Sequence, residues 1–358
     1  MNHNFYFQII EPHGELGFAE QLDELEILYF RMLQSQLLLP SSLLHSRVYL
    51  TDAANQLDLV KASNLYKEFL VEGAVSYIQQ PLLSGAKVAL LVCFSTSASV
   101  QKTGTPDCMM AKVDDVSMIF HSVRFSEAEV ANKDAEAQTM LAFQRHMDQL
   151  KPLGLTLEEN CHRTWIYVRD IDRHYAGVVS GRNRVFDKEG LTADTHYIAS
   201  TGIGGYGDNR EAIVAMDFLS FDGLKRDDVQ YLHALEYLNP THEYGVAFER
   251  GTKVQFADCA LSFISGTASI DKEGECLHRG DVMTQAGRLF LNIEKLLNDG
   301  AMTLKDVQYF LVYLRDISDY RNVSRYMKLR FPQVPFLILD APVCRPEWLI
   351  EVECVAQK

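Results

Sequence analysis

The chain has 358 residues, 47% of them hydrophobic and 23% charged, with a formal net charge of −14. That length allows two domains with separate cores, and an acidic balance without any long block of lysine and arginine argues against a nucleic-acid partner. No run reaches the roughly 18 uninterrupted apolar residues of a membrane helix; the longest candidate, Val88 to Val100, is broken by Ser95, Thr96, Ser97 and Ser99.

Met1 to Ile10 lacks a basic stretch followed by an apolar core, so no signal peptide is expected and a cytoplasmic location follows. Residues 1–86 read as an N-terminal extension with several β-like runs and a helix over Asn55 to Val71. Asp107 to Lys133 is polar and reads as an extended loop or hairpin. Farther on, Leu261 to Ser265 is β-rich. Asp281 to Asn298 sets Val282, Leu289, Ile293, Leu296 and Leu297 near helical spacing and meets a stop at Gly300. Val307 to Leu314 is apolar enough for a strand buried on both faces. Ser318 to Arg330 predicts a shorter helix, and Phe336 to Asp340 and Trp348 to Glu353 predict strands flanking a turn. The order strand, helix, strand, helix, strand, strand is that of an α+β sandwich, a mixed sheet with two helices on one face. Seven scattered cysteines without a Cys-x-x-Cys pair predict no disulfide framework.

Part of this pattern occurs twice. Gln285, Phe290, Leu297 and Thr303 match Gln138, Phe143, Leu150 and Thr156 at a constant offset of 147, and Tyr313 to Ile317 resembles Tyr167 to Ile171. Upstream, Ser265 to Gly274 resembles Ser95 to Gly104 at an offset of 170, which implies about 23 extra residues in the first copy. The expected domains are therefore the extension, a degenerate copy plus linker over 87–252, and a copy carrying the site over 253–358.

Several residues of the second copy carry a resemblance. Ser265 and Gly266 end a strand; Gly280, Asp281 and Gln285 open a helix that holds Asn292 and Ile293; Tyr313 to Asp316 ends another strand; Cys344, Arg345, Glu351 and Glu353 mark the last one. This set resembles the Rid/YjgF family, which implies tandem Rid-like, chorismate-mutase-like sandwiches. The family's usual trimer implies either a homo-oligomer or a monomer whose domains mimic one. The two copies, the long extension and the Cys344 to Glu351 segment look like the chorismatases. Those enzymes release pyruvate from chorismate and leave a dihydroxycyclohexadienoate or a hydroxybenzoate; a cysteine at position 344 resembles the hydroxybenzoate-forming branch. The resemblance implies a small carboxylated substrate, chorismate, with Glu351 as the acid.

The chemistry fits residue by residue. Cleaving an enol ether needs a proton delivered to carbon, which one carboxyl of raised pKa supplies without cofactor or metal. Glu351 lies among Leu349, Ile350 and Val352, whose burial would raise its pKa; the competing role is a solvent-facing carboxylate on an amphipathic strand. Guanidinium forks hold carboxylates at two points, which makes Arg345 and Arg315 candidates, although Arg315 also suits an ion pair with Asp316 or Asp319. Cys344 suits a pocket wall or a base. Tyr206 is a candidate hydroxyl contact, with Gly204 and Gly205 standing where the second copy has Cys344 and Arg345. Arg250, in the His242 to Arg250 linker, suits either the site or a linker ion pair. The glycines of 202–207 lack dinucleotide-loop spacing, and Cys161, His162, His196, Cys276 and His278 lack metal-ligand spacing. Trp165 and Tyr313 read as core. Two other functions stay open: an imine or enamine hydrolase using Arg345, Glu353 and a water, and a non-catalytic carboxylate-binding protein. A ribonuclease role fits the acidic balance poorly.

Overall fold

The computed structural model describes residues 5–97 and 100–358, apart from the Tyr244 side chain. Met1 to Asn4, at the start of the expected leaderless segment, and Ala98 and Ser99 of the expected repeat lie outside that description.

Three α+β units follow one another. The first has β1 (Phe5–Ile10), α1 (Phe18–Gln36), β2 (Leu43–Leu50), α2 (Ala53–Ala62), β3 (Ala74–Gln79) and β4 (Val88–Ser95). The second has β5 (Val100–Thr105), β6 (Cys108–Val113), β7 (Val116–Val123), a short α3 (Glu127–Val130), α4 (Ala135–Leu150), a short α5 (Leu157–Asn160), β8 (Cys161–Val168), α6 (Ile171–Glu189), β9 (Ala199–Gly204) and β10 (Val214–Asp222). The third has β11 (Val229–Tyr231), β12 (Gly251–Gln255), β13 (Ala260–Thr267), α7 (Val282–Asp299), β14 (Val307–Leu314), α8 (Tyr320–Arg330), β15 (Phe336–Asp340) and β16 (Ile350–Gln357). Their sheets run β1-β4-β2-β3, β5-β6-β7-β10-β8-β9 and β11-β12-β13-β16-β14-β15. The last four strands of each sheet share one topology, with a single parallel pair at the edge.

The mixed sheets with two helices each are as expected, but the N-terminal segment is a third copy rather than an extension. Three glutamines identify it. Gln21, Gln138 and Gln285 lie buried in the first turns of α1, α4 and α7. Their Oε1 atoms accept the N–H groups of Lys87, Ile213 and Leu349, each at the entrance to its unit's last strand. A buried amide that satisfies one otherwise orphaned N–H is the same local solution used three times.

The boundary at 87 also moves. Val88 to Ser95 pairs with β1 and β2, so it closes the first sheet. The counterpart of β13 is therefore β7 rather than Ser95 to Gly104: Thr267 pairs with Val352 as Val123 pairs with Met216. The supposed insertion disappears, because Cys108–Val113 and Val116–Val123 are regular strands. β11 joins β12, placing part of the expected linker in the third unit. The predicted helix over 55–71 stops at Ser63, followed by a π turn and a 3-10 turn.

The units close into a ring. The segment after each edge strand pairs with the edge strand of another unit, through Gln79 with Tyr206, Leu82 with Leu339 and Ile203 with Val343. One hydrophobic cluster containing Phe5, Tyr49, Trp165, Tyr167, Phe263 and Tyr313 joins all three sheets. The helices cover the opposite faces, as the second cluster shows with Phe143, Val178 and Phe186 packed against Ile166. Sheets covered on both sides explain why β4, β8 and β16 are buried throughout and β14 everywhere but Gln308.

Candidate active site

A cavity lies between the second and third units. The third unit supplies Gly266 near the end of β13, Ala268 and Ile270 after it, the turn residues Cys344, Arg345 and Trp348, and Glu351 on β16. The second supplies Tyr175 and Arg182 from α6 and Ser200 and Gly202 from β9, and the chain joining them adds Val246, Phe248 and Arg250.

Glu351 sits second in β16, opposite Tyr313, and is 3% exposed. Burial and then the neighbouring Glu353 raise its pKa to about 8, against the opposing pull of Arg163 and Arg250. It is therefore largely protonated at neutral pH, the state a proton donor needs. Gly266 makes room for it: a Cβ there would lie 1.9 Å from Glu351 Oε1. The wall is cationic. Arg345 Nη1 donates to Gly274 O at 3.1 Å and its guanidinium lies 4.7 Å from the Trp348 ring centre. Arg250 Nη2 donates to Asn239 O at 3.1 Å, while Arg182 and Arg250 flank Phe248. Rings backing guanidinium groups hold them in place.

Cys344 lines the cavity and hydrogen-bonds Tyr175, but burial and then the Glu351 charge push its thiol up to about 12. It stays a neutral thiol, which removes the thiolate-base role considered above. The Tyr175 hydroxyl is likewise pushed up, first by burial and then by Cys344. Gly202 accommodates the Tyr175 ring, since a Cβ would meet it at 3.0 Å.

Four of the six residues singled out from the sequence thus meet: Glu351, Cys344, Arg345 and Arg250. Two do not. Arg315 is not among the cavity's lining residues: it forms a two-point pair with Asp172 at 2.9 and 2.8 Å, bridging the units, and also donates to Val343 O. Its expected partners were its sequence neighbours, but Asp316 instead caps Ser318 N. Tyr206 lies in the contact between the first and second units, where its hydroxyl accepts from Gln79 Nε2 and its ring backs Arg169. Tyr175, Arg182 and Ser200 were missed. Arg182, 2% exposed, shares a helix face with buried Val178, Val185 and Phe186; an arginine on an apolar helix face was the available signal.

The equivalent cleft between the first and second units shows what this one has retained. Ala89 and Ala215 occupy the register positions of Glu351. Arg124 seals its inner end, donating to Tyr77 O, Met216 O, Ser76 Oγ and Asp217 Oδ1. Among the described residues no group of three or more histidine, cysteine or acidic side chains is placed to hold a metal ion. No described helix is long and apolar enough to cross a membrane.

Known proteins resemble the chain at two scales. Residues 254–358 match the family described as Endoribonuclease L-PSP. The 3-aminoacrylate deaminase RutC of Acinetobacter baylyi is 27% identical over 98 residues, covering 27% of this chain and 78% of that protein. A RutC family protein of Pyrococcus abyssi is 30% identical over 98 residues, covering 27% and 77%. At full length, the crystal structure of a chorismatase superimposes with a TM-score of 0.70 at 19% identity, covering 99% of this chain and 98% of that one. That likeness establishes the fold of all three units together.

Proposed function

This chain belongs to the Rid/YjgF superfamily, and from that premise we propose that it is a chorismatase-type enzyme in which Glu351 protonates the enolpyruvyl group of chorismate. The observation that carries the reading is a buried carboxyl, its pKa raised to about 8, enclosed with three arginines in one cavity.

The steps follow from the side chains present. Arg345, Arg250 and Arg182 supply the positive field for a dicarboxylate. The Glu351 carboxylic acid gives its proton to the terminal methylene carbon of the enol ether. The enol π electrons form the new C–H bond, leaving an oxocarbenium ion and a Glu351 carboxylate. Water adds to that cation and loses a proton, which restores the Glu351 acid. The resulting hemiketal breaks its C–O bond, releasing pyruvate and a dihydroxycyclohexadienoate. Alternatively a ring hydroxyl captures the cation and its proton restores the Glu351 acid; pyruvate then leaves with one of the two ring oxygens, and a ring proton moves to the oxygen that is kept, giving a hydroxybenzoate with no net gain or loss of water. The neutral Cys344 thiol and the Tyr175 hydroxyl form the wall beside the ring and favour the second branch by limiting water there.

The hydrolase alternative needs Glu353 beside Arg345. Glu353 instead accepts from Arg163 Nη2 and Trp165 Nε1, both at 2.8 Å, and faces the interior. The test is pyruvate release from chorismate by the purified protein, followed with lactate dehydrogenase. Glu351→Gln should lower kcat by at least about 10²-fold with the melting curve retained. Unchanged turnover in that variant, or no pyruvate from the parent enzyme, defeats the reading.

A further inference from the structure

Behind the cavity wall, five charged side chains alternate in sign across the centre of the ring. Arg124 Nη1 lies 2.9 Å from Asp217, Asp217 3.7 Å from Arg47 Nε, Arg47 Nη1 3.9 Å from Glu353, and Glu353 2.8 Å from Arg163 Nη2. All but Arg124 have side chains no more than 4% exposed. The string draws on every unit: Arg47 from the first, Arg124, Asp217 and Arg163 from the second, Glu353 from the third. Trp165 binds it together, its N–H on Glu353 and its ring against the guanidinium groups of Arg47 and Arg163.

Packing does not require these charges. Strand register places Leu91 where the other units carry Asp217 and Glu353, and Leu311 where they carry Arg47 and Trp165. Leucine therefore fits both kinds of position, and a buried ion pair rarely stabilises a fold more than well-packed apolar residues do. The string also ends at the site. Arg163 Nη2 donates to Thr201 Oγ1 at 2.6 Å, and Thr201 Oγ1 accepts the N–H of Gly266 at 2.9 Å, the residue against which Glu351 lies.

We propose that Arg124, Asp217, Arg47, Glu353 and Arg163 form a positioning network that holds Glu351 in place and sets its titration, so that all three units set the state of one carboxyl. This rests on Glu351 being the acid of the proposed reaction. The groups around Glu351 are Glu353 on its own strand, Cys344 in the preceding turn, Tyr313 on β14, Arg163 on β8, Tyr175 and Arg182 on α6, Arg250 on the connecting chain, and Arg345 across the cavity. The network acts through the first and fourth of these. Asp217 and Arg124 act through Arg47, touching neither the cavity nor Glu351.

The network predicts shifts of opposite sign. Removing the Asp217 charge leaves Arg47 less compensated, favours carboxylate at the site and lowers the Glu351 titration midpoint. Removing the Arg124 charge leaves Asp217 uncompensated and raises it. Each shift should be about half a pH unit or more. The midpoint is read without substrate from the carboxylic C=O infrared band of Glu351, identified by difference against Glu351→Gln, in full-length Asp217→Asn and Arg124→Gln. Melting curves accompany each titration. Simple loosening admits water and lowers the midpoint in both variants. Equal midpoints, or shifts in the same direction, overturn the proposal. If Asp217→Asn does not fold, Arg124→Gln decides: a raised midpoint restored to the parent value by Arg124→Lys supports the network, and an unmoved one ends it. Because no turnover is involved, opposite shifts in a protein that releases no pyruvate would sink the reaction and leave the network standing.

Discussion

Replacing Gly266 with alanine tests the placement of the acid directly. The added methyl would sit 1.9 Å from Glu351 Oε1 and 2.8 Å from its carboxyl carbon, where ordinary contact begins near 3.4 Å. Gly266 is outside the positive-φ glycines, so alanine is allowed by the backbone and the collision alone is tested. Relief requires the carboxyl to retreat by about 1.5 Å, and a displacement of about 1 Å at a reacting group can cost 10²-fold in rate. Gly266→Ala should therefore lower kcat for pyruvate release by about 10²-fold, with an overpacking cost of about 1–3 kcal/mol. Shortening the acid should offset part of the clash: Glu351→Asp is slow by itself, and adding Gly266→Ala to it should reduce the rate by less than tenfold. Such non-additivity is the mark of side chains in contact. Full activity in Gly266→Ala, or additive losses in the double variant, would show that proton delivery does not depend on a carboxyl held against this glycine.

Protonation of Glu351 should also be visible in stability. Its folded pKa of about 8 exceeds the ordinary 4.5, so the folded state keeps a proton that the unfolded chain loses. Between roughly pH 4.5 and 8 the protein should lose up to about 1.4 kcal/mol per pH unit from this group, a slope missing in Glu351→Gln melts. The falling alkaline limb of the kcat profile should lie in the same region, and a limb absent below pH 10 would exclude Glu351 as donor. Arg345→Ala should raise KM for chorismate by about 10-fold or more. Arg315→Ala, which breaks a pair whose acid is half exposed, should leave KM unchanged and cost no more than about 1 kcal/mol in urea melts.

The third unit was legible because its signals are local. The Asp281 cap, the apolar spacing of α7 and the apolar run of β14 each fix one element from its own residues. The first unit was not, because its strands resemble the other copies only in register and its helix glutamine stands among unrelated neighbours. Gln21 becomes informative once Lys87 is seen to donate to it, a contact spanning 66 residues. The same holds for the site. Glu351, Cys344 and Arg345 share one short segment and could be read together, whereas Tyr175 and Arg182 enter from another unit across the cleft. Arg315 misled because a strand-end arginine next to aspartates has several geometries, and only packing selects Asp172.

Joining three units in one chain permits something a ring of identical subunits cannot have. In a symmetric trimer every cleft must carry the same acid, and every position on the inner face the same charge. Here the register position of Glu351 is alanine in two units, and Arg124 occupies the inner end of one of the equivalent clefts. Likewise Leu91, Asp217 and Glu353 occupy one position, and Arg47, Trp165 and Leu311 another. Three identical charges facing one another across a dry centre would repel. The asymmetric set instead alternates in sign and can be directed at a single carboxyl. The single acid and the buried charge string are then one asymmetry seen twice: under the proposed reaction, residues of all three units set the field at one carboxyl.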